Sequence, residues 1–568
     1  MSKDFTPSGA RTPLLRLLQQ AFCLASAANE PDAPSVDELA EQALAHSRRR
    51  FLTRTAQAGL LLGAGSLLTA CADVAEDVAP RASLAPAQDA KGGSQPTIVI
   101  VGGGMAGLNC AYQLQKDGLV AQVYEGSNRL GGRIFTARNL MGPGMTTELG
   151  GEFIDSGHRD MLALASEFGL PLYDVEAPSE TALIKDSYFF RGRQYSLAEI
   201  IAAFQPWARQ IGDDCRSLPG TITYDNLTAA AAHFDQMSIA DYFDSVQLTG
   251  VIRDLLDVAY VTEFGRAISE QTAINFLWMF SADTRKGRFD IFGISDERYK
   301  MQGGNSRLIE ALAQRLPGQY TLNHKLVAVT KAAGRYQLTF EQAGGARISV
   351  AADYVVLTIP FTILRTVDLT GLALPTWKTN AIQQLGYGNN AKLFLGFNGR
   401  PWRDRGYTGY FFSDRITQGG WDGSQLQPTT QGAFTVYLGG QPAVDLGSGS
   451  PQSRAGEHLT VLEAAWPGSK AKFNGQVERF HWPTHPFTRA AYACYRVGQY
   501  STIAGAEIKP VDKLFFAGEH CSAWYQGYMN GAAETGRMAA EGVAAAIRTG
   551  NTATVLRQRL RQRAQQLA

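Results

Sequence analysis

The stretch "PTIVIVGGGMAGLNCAYQLQKDGLVAQVYEGSNRLGGRIFT", residues 96–136, decides the fold. Its opening, Thr97 to Val101, is β-branched throughout, as a strand buried on both faces of a parallel sheet requires. Gly102, Gly104 and Gly107 follow with the spacing G-x-G-x-x-G and open a helix that runs through Gln115. Gly102 permits a tight turn, Gly104 lets backbone N–H groups approach a pyrophosphate, and Gly107 lets the helix pack close to the strand. Met105 and Ala106 belong to the same phosphate-facing turn. A second strand, Val120 to Tyr124, ends on Glu125, about 20 residues on, where a carboxylate can accept the hydroxyls of an adenosine ribose. Strand, glycines, helix, strand and acid agree on an α/β dinucleotide-binding unit.

At 568 residues the chain has room for two or more cores. It is 45% hydrophobic and 18% charged with a net charge of +1, which gives no electrostatic case for a nucleic-acid partner. The six cysteines form no C-x-x-C pair or disulfide framework, and the eight histidines show no metal-ligand spacing, so neither a structural nor a catalytic metal is expected.

Residues 47–71, "SRRRFLTRTAQAGLLLGAGSLLTAC", set Arg48, Arg49 and Arg50 before an uncharged run from Thr55 to Ala70. That run is short for a membrane span and has the form of an export signal. It resembles a twin-arginine signal, the route for proteins folded around a cofactor. The twin-arginine export machinery is then a partner, and the destination is the periplasm or cell surface. "LTAC" also resembles a lipobox, in which Cys71 would carry a lipid and anchor the chain to a membrane; an ordinary signal with an incidental Cys71 is the other reading, and both stay open. Residues 1–46 form an extension ahead of the signal, and 72–95, rich in Ala, Pro, Asp and Gly, suit a flexible tether.

"RLGGRI" (Arg129 to Ile134) places Arg129 and Arg133 around a Gly131-Gly132 pair. This arrangement can hold a pyrophosphate and carry the backbone past a bulky ring; the plain alternative is an arginine-capped surface turn. With these residues the sequence resembles the FAD-dependent amine oxidases, a family that includes monoamine oxidases, polyamine oxidases and L-amino acid oxidases. "ELGGEFID" (Glu148 to Asp155), with Gly150, Gly151 and Glu152, resembles the family's next glycine-rich segment along the flavin. Further likenesses follow in family order: "YKMQGGNSRLIEAL" (299–312), "HKLVAVTK" (324–331), and "DYVVLTIPFTIL" (353–364). In the second of these the resemblance implies that the backbone of Val327 meets adenine.

The likeness covers 96 to about 548. It implies an α/β, Rossmann-like, glutathione-reductase-like FAD-binding domain interleaved with an α+β substrate-binding domain. The FAD domain would be assembled from 96–165, 301–370 and 485–548, and the substrate domain from 166–300 and 371–484. Helical spacing in "SIADYFDSV" and "GVIRDLLDVAYVTEFG" makes 166–297 read as mostly helical, while "KLFLGF" and "AFTVYLGG" make 371–484 read as strand-rich. The tail 549–568, with "VLRQRLRQRAQQL", is a basic amphipathic helix candidate. Neither a monomer nor a homodimer is singled out.

Lys392, in "GNNAKLFLGF", is costly in so apolar a strand unless its ammonium has partners. The resemblance matches it to the lysine that holds a water near flavin N5 and assists reaction with oxygen; a snorkelling strand-edge lysine is the plain alternative. In "FHWPTHPFTRAAYACYRVGQY" (480–500), Trp482 would lie along the flavin and Tyr492 would face its reactive side. "LFFAGEHCSAWYQGYMNGAAETGRM" (514–538) supplies Gly518, Glu519, Gly527 and Met529 for the flavin and Tyr528 as the second aromatic wall. Ala491 stands where some monoamine oxidases carry the cysteine that links FAD, so FAD is expected to be non-covalent. Core packing is the plain alternative for each tyrosine.

The family's reaction passes a hydride from a neutral amine to flavin N5; the imine hydrolyses to a carbonyl compound, and O2 becomes hydrogen peroxide. The substrate is read as a small-molecule amine, with an L-amino acid as the alternative. Amino acid oxidases carry an arginine soon after the glycine pair, but here Glu152 and Phe153 follow, with Arg159 further on. Asp155 either attracts a cationic amine or caps a helix starting near His158. Phe153 and Trp524 are further substrate-contact candidates. A desaturase-like flavoprotein shares the first motif but does not call for Lys392 or the Tyr492/Tyr528 pair, and a non-catalytic FAD-binding exported protein is the remaining class.

Overall fold

The computed structural model describes residues 95–279 and 295–550. The twin-arginine signal, Cys71, the extension 1–46 and the tail beyond 550 lie outside the described residues.

Ile98–Val101 is a strand with all four residues buried. It runs parallel to Tyr354–Leu357 on one side and Ala121–Tyr124 on the other. Leu514–Phe516 and Tyr320–Thr321 join at the two edges, completing a five-stranded parallel sheet. Successive strand side chains point to opposite faces, and the two faces bury different partners. Ile98, Ile100, Val123, Val356 and Phe515 pack with the helices Met105–Lys116, Ser306–Arg315 and Met529–Thr549. Val99, Val101, Val355 and Leu357 pack with Leu326, Val329, Leu338 and Phe340. Those last four come from an antiparallel three-stranded sheet made by His324–Ala332, Arg335–Gln342 and Arg347–Ala352. The parallel sheet thus draws its strands from three separated parts of the chain.

A second, seven-stranded sheet is ordered Phe473–His481, Asn390–Phe397, Gly432–Gly439, Gly419–Asp422, Tyr407–Ser413, Ile184–Phe190, Arg193–Tyr195. The aromatic rings of Trp402, Phe411, Phe434 and Trp466 pack together on it. Two of its strands come from 166–300, the region read as mostly helical. In "IKDSYFF" the apolar residues bunch at one end, so no period shows, and its pairing with Tyr407–Ser413 is a long-range event. The helices there are well marked: Leu197–Ser217 begins on a Ser196/Glu199 capping box, and Gly250–Phe264 ends on Gly265 at φ 68. Among the described residues no helix is long and apolar enough to cross a membrane.

Backbone contacts between glycines and their neighbours set the spacing of these parts. A Cβ on Gly107 would lie 1.9 Å from the Gly102 carbonyl oxygen, and one on Gly536 would lie 2.3 Å from that of Ala106. The first helix therefore lies directly on the strand turn, and the last helix lies directly on the first. A side chain at either position must push backbone apart, with no flexible group to yield. Gly536→Val should lower stability by about 1–3 kcal/mol or more and weaken retention of any ligand held by Met105 and Ala106. Thermal unfolding checks this; an unchanged melting temperature would refute the contact.

Candidate active site

Ligands of open α/β sheets bind beyond the carboxyl ends of the strands. A cavity of about 1820 Å³, counting the space that opens to solvent, lies there, with Val101, Tyr124, Thr358 and Gly518 in its wall. Further parts of its wall come from 125–134, 150–155, 324–326, the strand holding Lys392, and the segments 482–492 and 527–532. Segments far apart in sequence thus share one cavity.

One part of the wall has the chemistry of a nucleotide cradle. Gly102 turns the chain at φ +109, where a Cβ would come 2.5 Å from Thr358 Oγ1. A Cβ on Gly104 would meet no protein atom nearer than 4.0 Å, so the space beside it belongs to the cavity. No side chain caps the helix that starts at Met105, so its first N–H groups and its positive end suit an anion. Met105 and Ala106 line the cavity, whereas Gly107 lies behind them. Buried Glu125 accepts from Gly103 N at 2.6 Å and Ser127 N at 2.8 Å. A carboxylate has about four lone-pair sites, so it keeps capacity for two ribose hydroxyls.

The arginines are tethered. Arg129 donates to the Gly132 carbonyl at 2.7 Å and lies 3.9 Å over the Phe135 ring. Arg133 donates to the Ala491 carbonyl and to Glu519 Oε1, both at 2.7 Å. Glu519 in turn accepts from Gly527 N at 2.7 Å and Ala493 N at 3.3 Å. This pair ties three lining segments together and cancels charge. Trp482 donates to the Leu149 carbonyl at 3.0 Å, which holds its ring beside Gly150. No side chain caps the helix beginning at Met529, so a second helix N-terminus reaches the cavity through Tyr528 and Met529.

Lys392 is 4% exposed. Taking an ammonium out of water costs several kcal/mol, which only a set of acceptors can offset. It has three: the Gly150 carbonyl at 2.8 Å, the Glu148 carbonyl at 3.0 Å and Glu152 Oε2 at 3.4 Å. The Trp421 ring lies 5.1 Å from its Nζ. Burial holds Lys392 below the usual lysine range, while Glu152 and Glu148 pull it back up. Burial alone would raise Glu152, but Lys300 and Lys392 outweigh it and hold its carboxyl below the ordinary value. Glu148 is pushed up to about 7 by burial, against hydrogen bonds from Asn305 and Thr136.

Tyr492 lines the cavity with its hydroxyl already committed. It donates to the Glu263 carbonyl at 2.7 Å and meets the Tyr437 hydroxyl at 2.7 Å. What Tyr492 offers the cavity is its ring. Tyr528 packs edge-on against His158, centroids 5.1 Å apart. Burial holds His158 down at about 3, so its imidazole is neutral. The helix Arg159–Glu167 has no side-chain cap; Asp155 lines the cavity instead and accepts from Glu297 N at 3.0 Å.

Three of the expected site residues fall outside the cavity wall: Gly107, behind its turn, Val327 and Trp524. Val327 sits at a bulge where its carbonyl accepts from Asp368 N at 2.9 Å, and its neighbour Leu326 lines the wall. Trp524 is buried without reaching the wall. Gly531 serves the loop before it, since a Cβ there would lie 2.1 Å from the Tyr525 carbonyl oxygen. Tyr437 and Trp421 line the cavity and were not singled out. Their signal was cross-strand register: Tyr437 stands directly opposite Lys392.

Residues 105–544 match the family described as flavin containing amine oxidoreductase. A probable flavin-containing monoamine oxidase A of Dictyostelium discoideum is 24% identical over 457 residues, covering 77% of this chain and 95% of that one. Pseudooxynicotine dehydrogenase of a Pseudomonas species is 24% identical over 524 residues, covering 89% and 97%. The solved structure of cyclohexylamine oxidase from Brevibacterium oxydans superposes with a TM-score of 0.68 at 19% identity, over 80% of this chain and 100% of that one, a likeness of fold. The family match starts at the first residue of the helix after Gly104 and ends inside the last helix, so it spans nearly the whole cavity wall, and the chain belongs to the flavin-containing amine oxidoreductases.

Proposed function

We propose that the protein holds FAD without a covalent bond and oxidises a small primary or secondary amine to an imine, which hydrolyses to a carbonyl compound, with O2 taken to hydrogen peroxide. The observation that carries this reading is one cavity lined both by the nucleotide cradle, Gly102, Gly104 and Glu125, and by Lys392, Tyr492 and Tyr528. Gly102 to Ala106, Glu125, Arg129 and Arg133 would hold the dinucleotide, and Gly150, Gly151, Trp482, Gly518, Glu519 and Met529 the rest. Bound there, the flavin would accept a hydride and pass electrons to oxygen. Ala491 lines the wall, and among the described residues no cysteine does, which supports a non-covalent cofactor.

The protein's own task is to desolvate the amine and keep its lone pair available. The rings of Tyr492, Tyr437 and Trp421 supply an apolar slot. An amine is favoured over an amino acid by the charges of the wall. Among the described residues its arginines are Arg129 and Arg133, both tethered, and Arg159 is not among the lining residues. Asp155 lines it and would disfavour a substrate carboxylate, while Glu152 is held between Lys300 and Lys392. Lys392, backed by its carbonyls, is the group placed to assist the oxygen step.

The sequence "SRRRFLT" before an uncharged run supports export by the twin-arginine route to the periplasm or cell surface, with Cys71 as an anchor point.

Purified flavin-loaded protein should release peroxide on addition of simple amines and much less on addition of L-amino acids; silence toward both panels would sink the oxidase reading. Lys392→Met should slow reoxidation by oxygen by roughly 10²-fold and alter reduction by substrate far less, as followed by stopped-flow absorbance of the flavin. Equal effects on both half-reactions would remove Lys392 from its assigned role. Replacing Arg48 and Arg49 by lysine should leave folded protein in the cytoplasm in cell fractionation, and an unchanged distribution would rule out the twin-arginine route.

A further inference from the structure

Beside the cavity lies a buried cation that the reaction above does not use. Lys300 sits in the strand Tyr299–Met301, paired antiparallel with Leu172–Asp174, and is 6% exposed. Its ammonium is 2.8 Å from Glu152 Oε1 and 5.5 Å from the centroid of the Phe153 ring. It is not among the residues that line the cavity, whereas Glu152 and Lys392 are. The other Glu152 oxygen stands 3.4 Å from Lys392 Nζ, longer than that ammonium's 2.8 and 3.0 Å contacts to backbone carbonyls. A closed ammonium–carboxylate pair sits at about 2.7–2.9 Å. Glu152 thus leans toward Lys300 and away from Lys392.

We propose that Lys300 is a positioning residue for Lys392: by holding Glu152 it stops the carboxylate from closing on Lys392 and keeps that ammonium's third N–H on a long, 3.4 Å contact from which it can turn to the cavity. The proposal rests on the reading that Lys392 assists the oxygen step. Two lysines competing for one carboxylate is a different arrangement from a lysine with a private counter-ion. In the second case the lone carboxylate would satisfy its full charge on Lys392 and lock it against the wall.

The charged groups facing this cluster are Lys300, Glu152, Lys392 and Glu148, from three separate segments. Lys300 pushes Lys392 down and pulls Glu152 down. Removing it lets both rise. The sign for stability follows for Glu152. With its carboxyl held low, it stabilises the fold above the ordinary carboxylate range and loses that contribution as the pH falls. Without Lys300 one of the two charges that oppose its burial is gone and the carboxyl rises, so part of that contribution is lost and the loss grows as the pH rises.

Three variants test this: Lys300→Met, Lys300→Arg, and Lys300→Met combined with Glu152→Gln. Photoreduced holoprotein mixed with oxygen isolates the oxygen step without any amine. Lys300→Met should reoxidise roughly ten-fold more slowly, within the range of coupling between touching groups. Any pH midpoint of that step should move upward. Lys300→Arg should keep most of the rate, and the double variant should recover it, because the carboxylate that captures Lys392 is gone. A purely structural lysine would give a double variant as slow as the single one, and that result overturns the proposal. The apoprotein gives a second readout that needs neither amine nor flavin. The melting-temperature deficit of Lys300→Met should be larger at pH 8 than at pH 5 and should shrink in the double variant; a deficit independent of pH also overturns it. Failure of amines to reduce the flavin would strike the proposed function and leave both of these measurements interpretable.

Discussion

The site depends on backbone lying against backbone. The Gly107 Cα approaches the Gly102 carbonyl so closely that a Cβ has no place, and Gly536 does the same against Ala106. Each contact removes one side-chain layer from a junction where helices ordinarily pack 8–10 Å apart. Without them the last helix would stand off the first, and the strand turn would stand off both. With them, the starts of Met105–Lys116 and Met529–Thr549 reach one cavity, although their first residues lie 424 positions apart in sequence. Two uncapped N-termini then give that cavity a positive lean that no lysine or arginine need supply.

That lean explains how the charged side chains are arranged. Arg133 and Glu519 neutralise one another at 2.7 Å, so their main effect is to tie Ala491, Ala493 and Gly527 into one frame. Arg129 rests on a ring and a carbonyl. Lys392 is the exception, buried with two backbone carbonyls and a shared carboxylate. Charge-assisted hydrogen bonds of this kind are worth about 1.5–3 kcal/mol each, so three of them are of the size of the desolvation cost. The lysine is therefore tolerated without being strongly pinned, which suits a group that has to respond to what enters the cavity.

Much of this was legible in the sequence, and the reason differs from residue to residue. Gly102, Gly104 and Gly107 were legible because their demand is local: a turn, an open approach and a close packing at fixed spacing. Lys392 was legible because a charge inside an apolar strand has to be explained. Val327 and Leu326 could not be separated, since a bulge shifts the strand by one residue and nothing in "HKLVAVTK" marks it. Tyr437 and Trp421 were hidden for a related reason: their place depends on which strands pair and in what register. Lys300 was hidden because its partner Glu152 lies on another segment 148 positions earlier by residue number. Trp524, an aromatic residue in a turn, is buried off the cavity wall, and nothing in its sequence neighbourhood marks the difference.

The tyrosine walls show how the two halves of the molecule divide their work. Tyr492 has its hydroxyl fixed by the Glu263 carbonyl, at the end of a helix from 250–264, and by Tyr437, from the strand Gly432–Gly439. Fixing the hydroxyl fixes the plane of the ring, at little entropic cost because a tyrosine has few rotatable bonds. The orientation of the slot is therefore set by elements outside the parallel sheet, while the glycines and the nucleotide cradle belong to the sheet itself. A change in the 250–264 helix can retilt the ring and alter which amine fits. Lys392 rides on the neighbouring strand, directly opposite Tyr437, so substrate selection and reaction with oxygen share the seven-stranded sheet and meet the nucleotide cradle in one cavity.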